Sequence, residues 1–308
     1  MKPDIIIICG PTGIGKTSVT IELAKAFNGQ IISADSMQIY RCMDIGTAKP
    51  TPEEVSEIEH HIVDIVDPDE DFDAAKFAAV ADKTIQKFVE SGITPFVAGG
   101  TGLYIKSLVD GLFRAIPANQ EVMSRLSCEI EEKGAAELYE RLQKCDPEAA
   151  KKIHINDSFR IVRALEVFET TGKTISSYHA EHNFADRKYR VLKIGLQMER
   201  ELLYDRINRR VDMMLEEGLL EEVNILIKKG YSPSLKAMKS LGYRHMVEYI
   251  NGEKDWEEAV RTLKRDTRRY AKRQLTWFRS DNEIIWIEPE ETERIVETVK
   301  IFLERQSN

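Results

Sequence analysis

The chain has 308 residues, 42% hydrophobic and 31% charged, with a formal charge of −8. That balance belongs to a globular protein with a sizeable core and excludes a collagen-like, generally disordered or membrane chain. The total charge gives no support to a uniformly basic nucleic-acid protein, although such binding is decided by local fields. Cys9, Cys42, Cys128 and Cys145 lie far apart with no C-x-x-C pair, which argues against a structural zinc site or a disulfide framework.

In chain order, Ile5 to Ile8 is a β-branched run that predicts a parallel strand buried on both faces. With Asp4 in front and a glycine loop behind, the run is too short for a signal peptide or a membrane span, so a cytoplasmic protein is expected. Thr17 to Phe27 reads as an amphipathic helix, Gln30 to Ser33 as a second strand, and Asp73 to Ser91 as a helix stopped by Gly92. Ile93 to Ala98 is a third strand, followed by Gly99-Gly100-Thr101-Gly102 and a short helix from Leu103. Strands alternating with helices predict an α/β fold with a parallel sheet in a three-layer core. From Gln120 to about Thr171 the pattern is helical and charged. Residues 191–196 look like a returning strand, the remainder is helical, and Ile284 to Ile287 is a short apolar strand. The expected organisation is a core of residues 1–112 and 198–308 carrying a mostly helical insertion, residues 113–197.

Gly10-Pro11-Thr12-Gly13-Ile14-Gly15-Lys16-Thr17 fits G-x-x-x-x-G-K-[ST] between a strand and a helix. Its backbone N–H groups and the helix N-terminus favour a polyphosphate, Lys16 neutralises charge, and Thr17 offers a hydroxyl to Mg²⁺. A nucleotide-hydrolysing enzyme or kinase would carry an acid at the end of a core strand. The third strand instead ends Ala98-Gly99-Gly100; the strand-end acid is Asp35, followed by Ser36, Met37 and Gln38.

Three further motifs extend the pattern: Met43-Asp44-Ile45-Gly46-Thr47-Ala48-Lys49-Pro50, Gly242-Tyr243-Arg244, and Gln274-Leu275-Thr276-Trp277-Phe278-Arg279. Together with the phosphate loop, Asp35-Ser36-x-Gln38-x-Tyr40, Gly99 to Tyr104 and Arg160 to Val167, the chain resembles the bacterial tRNA dimethylallyltransferases over nearly its whole length. The resemblance implies transfer of a dimethylallyl group from dimethylallyl diphosphate to the exocyclic amine of the adenosine just 3′ of a tRNA anticodon. It implies that residues 10–17 and Arg244 bind the diphosphate, with Lys239 standing where an arginine is expected. It also implies that Thr101 hydrogen-bonds near the target base and that Ser36, Met37 and Gln38 line that pocket. The phosphate loop then holds a diphosphate rather than ATP, which accounts for the missing strand-end acid. Adenine's exocyclic amine is a poor nucleophile, and Asp35 is the candidate proton acceptor.

Between Ala259 and Arg279 stand eight cationic residues against the single acid Asp266. Arg261, Arg265, Arg268 and Lys272 fall on one helical face, a candidate phosphate-tracking stripe. Arg160, Arg163, Lys151 and Lys152 give the insertion a basic surface of its own, a candidate clamp for the anticodon stem-loop. Trp277 and Phe278 are expected in the core. A monomer is expected. An adenylate isopentenyltransferase fits less well because of the long insertion and the basic helix. A nucleotide kinase lacks its acid, and a non-enzymatic RNA binder has no use for Asp35 beside a phosphate loop.

Overall fold

The computed structural model describes residues 2–111, 119–181 and 187–305. They divide into two compact units, residues 1–109 with 188–308, and residues 110–187.

The first unit is built on six parallel strands: β1 (Asp4–Cys9), β2 (Gly29–Ser33), β3 (His60–His61), β4 (Thr94–Gly99), β5 (Arg190–Leu196) and β6 (Ile285–Ile287). Their order across the sheet is β3-β2-β4-β1-β5-β6. Ile7 of β1 pairs with Val97 on one side and Lys193 on the other. Successive strand residues point to opposite faces, and Ile5, Ile6, Ile7 and Ile8 are all 0% exposed, so both faces are covered. Lys193 is a buried charge within this sheet. Its ammonium is held by Asp281 at 2.6 Å and Glu283 at 2.9 Å.

Helices α1 (Lys16–Ala26), α2 (Pro52–Glu57), α3 (Ala74–Glu90) and α4 (Gly102–Asp110) lie in the first half of the chain. Asp73 caps α3 by accepting the N–H groups of Ala75 and Lys76, and the buried Phe77, Ala81, Ile85 and Phe88 recur at helical spacing. The sequence signals above do not predict α2 and β3. α2 is a six-residue helix closed by a Thr51/Glu54 capping box, and β3 is a two-residue strand fixed by pairing with β2. Neither is long enough to show a period.

The second unit is helical, with α5 (Gln120–Lys133), α6 (Ala135–Cys145), α7 (Pro147–Ala150), α8 (Ser158–Thr171) and α9 (Ile175–Glu181). Its own core contains Leu126, Leu138, Leu142, Ile161 and Leu165. Arg141 joins three of its helices, holding Glu129 and Glu169 at 2.6 Å each. The expected insertion, 113–197, is therefore too long at its C-terminal end, because β5 hydrogen-bonds to β1 in the sheet. The expected N-terminal boundary at 112–113 lies outside the described residues.

The chain then returns to the first unit as α10 (Arg200–Glu216), α11 (Leu219–Lys228), α12 (Tyr243–Ile250), α13 (Trp256–Phe278) and α14 (Thr292–Glu304). Leu203 and Ile207 of α10, Ala271 of α13 and Ile295 and Val299 of α14 pack with Ile6, Ile8, Phe96 and Ile194 in one cluster. No helix among the described residues is long and apolar enough to cross a membrane.

Candidate active site

The phosphate loop runs from the buried end of β1 into the first turn of α1. Gly13 has φ +81°, and a Cβ there would meet Ile207 of α10 at 3.0 Å, so glycine is what lets α10 close over the loop. Lys16 folds back onto the loop, donating to Gly10 O at 3.1 Å and Pro11 O at 2.8 Å. Burial lowers its pKa to about 8, opposed by the nearby Asp35 and reinforced by Arg210. Ile14 is fully buried in the core, so only its backbone is available to a ligand.

A cavity of about 750 Å³ opens beside this loop, bordered by Gly13, Lys16, Thr17, Asp35, Arg210 and Tyr270. A second, of about 570 Å³, shares Thr12, Asp35, Arg210 and Tyr270 with the first and continues past Ser36 and Met37. Asp35 follows β2 and Thr101 follows β4, which puts both at neighbouring strand ends, where open α/β sheets bind ligands. Asp35 Oδ1 accepts Met37 N–H at 2.8 Å, leaving Oδ2 for other partners. Thr101 Oγ1 accepts Ser36 N–H at 3.0 Å and donates to Ser36 Oγ at 3.3 Å. Thr101 borders neither cavity, so it bears on the pocket through Ser36. Gln38 is also committed to the protein: its amide donates to Ala48 O at 2.9 Å and its oxygen accepts Ser33 Oγ at 2.8 Å.

Three residues to which the sequence reading gave no role stand in this site, although Gln274 opens a motif singled out above. Arg210 borders both cavities; burial pushes its guanidinium below the usual range, and Asp35 pulls it back up. The Tyr270 phenol is raised by burial and then by Asp35, with Thr101 and Gln274 beside its hydroxyl. Gln274 ties the two glycine loops together, accepting Thr12 N–H at 2.9 Å and donating to Gly100 O at 2.9 Å. The spacing of Arg206 and Arg210, i and i+4 on a helix whose Ile207 meets the phosphate loop, is the signal that could have found Arg210.

The expected basic residues separate. Lys239 and Arg244 border the second cavity, to which the phosphate loop contributes Thr12 alone, so they share no wall with Lys16 and Thr17. The stripe 261/265/268/272 meets different partners along its length. Arg261 pairs with Glu258 in its own helix, Arg268 donates to Asn208 at 2.6 Å, and Lys272 is exposed. Arg265 turns to Asp266 at 2.8 Å, and with Arg269 and Arg273 it borders the second cavity. Asp266 also holds Arg244 at 2.5 Å, and these contacts keep its carboxyl well below the usual range. In the insertion, Arg160 is exposed near Asp157 at 3.3 Å, whereas Arg163 pairs with the fully buried Glu166 and so neutralises a core carboxylate. Phe278 is buried as expected, but Trp277 is 40% exposed and lies across Gly102.

Residues 38–281 match the family model described as IPP transferase. The chain is 51% identical to the tRNA dimethylallyltransferase of Desulfosudis oleivorans over 98% of this chain and 96% of that protein. Among solved structures it is similar to the tRNA isopentenylpyrophosphate transferase of Bacillus halodurans, with TM-score 0.75 and 41% identity over 99% of this chain and 98% of that one. It is also similar to a eukaryotic dimethylallyltransferase acting on tRNA, with TM-score 0.79 and 30% identity over 93% of this chain and 74% of that one. On the family model and on half its residues shared along nearly the whole chain, this protein belongs to the IPP transferase family and is an enzyme of the tRNA dimethylallyltransferase type.

Proposed function

We propose that this enzyme, acting in the cytoplasm, transfers a dimethylallyl group from dimethylallyl diphosphate to N6 of the adenosine immediately 3′ of a tRNA anticodon. The observation that carries the reading is the meeting of a phosphate loop, Asp35 and Arg210 where two cavities join. The first cavity takes the donor diphosphate on the loop. The second takes the adenosine, extruded from its stack, while Lys239, Arg244, Arg265, Arg269 and Arg273 attract RNA phosphates.

In the reaction the N6 lone pair forms a bond to the allylic carbon as the carbon–oxygen bond to diphosphate breaks. The N6 proton passes to Asp35, and diphosphate departs with the bonding electron pair. Lys16 and Arg210, converging from the loop and α10, neutralise the growing charge on the leaving group. Among the described residues no group of three or more His, Cys, Asp or Glu could hold a metal ion. The Thr17 hydroxyl at the wall of the first cavity would help to hold Mg²⁺ there. Bound there, Mg²⁺ would supply further charge neutralisation.

Incubation with labelled dimethylallyl diphosphate, in parallel with tRNA and with AMP, tests the reading. Label is expected in tRNA at the adenosine 3′ of the anticodon. Label in AMP alone would make the enzyme an adenylate isopentenyltransferase, and stoichiometric ATP hydrolysis would restore the kinase reading.

A further inference from the structure

One carboxylate outside both cavities has four hydrogen-bond donors converging on it. Glu222, on α11, borders neither cavity. Its Oε2 accepts the N–H groups of Asp44 and Ile45, both at 2.8 Å, and its Oε1 accepts Gly46 N–H at 3.1 Å and Tyr243 O–H at 2.5 Å. Three consecutive N–H groups around one anion form a nest, and bonds to an ionised acceptor are the stronger kind. Burial and then the Glu222 charge raise the Tyr243 phenol far above its usual value, so it remains a donor.

The two segments joined in this way both face the second cavity. Gly46, Thr47 and Ala48 border it from one segment, Thr47 and Ala48 standing between it and the first cavity, and Lys239, Gly242 and Arg244, which border the second cavity and not the first, from the other. Their contact is close: a Cβ on Gly46 would stand 2.4 Å from the Tyr243 ring, which is itself 0% exposed. Gln38 grips the same loop from the other side through Ala48 O. The loop is thus fixed at both ends, by an amide beneath Asp35 and by a carboxylate on α11.

We propose that Glu222 is a positioning residue for the RNA side of the reaction. Through Gly46 and Tyr243 it sets the spacing between the 46–48 wall and the segment bearing Lys239 and Arg244, and so the width of the opening that admits the target nucleotide. This rests on the assignment of the second cavity to the adenosine.

The test measures kcat, the KM for tRNA, and donor binding without RNA, in Glu222→Gln and Tyr243→Phe. Glu222→Gln turns an NH₂ toward N–H donors and should raise the tRNA KM by about tenfold or more, leaving donor affinity within about twofold. Tyr243→Phe keeps the ring on Gly46, removes one donor, and should move the tRNA KM the same way by about threefold. Parallel loss of both affinities, or a lower melting temperature with an unchanged tRNA KM, would reduce Glu222 to a stabilising residue and overturn the proposal. If Glu222→Gln does not fold, Tyr243→Phe decides alone. A wild-type enzyme that never prenylates RNA would remove the functional reading, and this proposal with it.

Discussion

The two cavities meet at Asp35 and Arg210 but are built differently. The first takes one wall from a short stretch of main chain within residues 10–17, with a lysine folded onto the loop's own carbonyls, and others from residues 44–54 and α10. The second is lined by long cationic side chains drawn from segments 239–244 and 265–273 and organised around Asp266. A main-chain cradle suits a compact anion whose charge must be met at fixed points. Flexible arginines suit a larger polyanion met at several points, with affinity that depends on salt. On the proposed reading, the difference separates the donor's anchor from the RNA's anchor, with the reacting groups meeting where the cavities join.

The sharpest way to break this division is at Asp35, one of the residues both cavities share. Asp35→Asn should keep both ligands bound but lower kcat by roughly 10²–10⁴-fold, about 3–5.5 kcal/mol of barrier. If kcat stays within about threefold, Asp35 is only the cap of the Ser36–Met37 turn. Next in size, Lys16→Ala should lower kcat by about 10²–10³-fold, the usual cost of removing one charge-stabilising donor, with tRNA affinity unchanged. Weakened tRNA binding in that variant would merge the two cavities into one site.

Reversing charge at Arg265 and Arg269 together should weaken tRNA binding and reduce its log–log salt slope by about two. Arg261→Glu, on the solvent side and already paired within its helix, should leave the slope alone. An equal effect from both would restore the single-faced stripe. The smallest effect is on pH. The Lys16 ammonium, with its pKa held at about 8, is the form that attracts a diphosphate, and it is lost as pH rises through that value. Donor affinity without RNA should therefore fall by about tenfold per unit above pH 8 and be insensitive to this group below pH 7. A flat profile from pH 7 to 9 in equilibrium binding would show that Lys16 does not carry the donor's charge.

What the sequence revealed follows the same line. The phosphate loop was legible because its residues are contiguous, with the glycines, Lys16 and Thr17 at fixed spacing within eight positions. Asp35 was legible because it ends a strand. Arg210, Tyr270 and Gln274 were not, because their roles depend on α10 and α13 crossing over a loop about 200 and 260 residues earlier. The surroundings of the arginine stripe were hidden for a related reason. Helical spacing places side chains on a face, but whether they reach RNA depends on the acids they meet. Glu258 claims Arg261 and Asp266 claims Arg265, and in the insertion the buried Glu166 claims Arg163 in the same way. The insertion boundary slipped because residues 191–196, although they read as a returning strand, were counted with the insertion, whereas β5 pairs with β1 and its Lys193 meets Asp281 and Glu283.

The central position of β1 bears on how the chain is made. Its partners across the sheet are residues 94–99 and 190–196, so one edge of the Ile5–Ile8 run stays unpaired until the whole 110–187 unit has left the ribosome. At roughly 5–20 residues per second that interval is about 4–16 s, long compared with the collapse of the helical unit around its own leucines. An open, wholly apolar strand edge is a template for association with other chains. The topology that seats the phosphate loop at the middle of the sheet thus leaves the nascent chain's central strand half-paired for seconds.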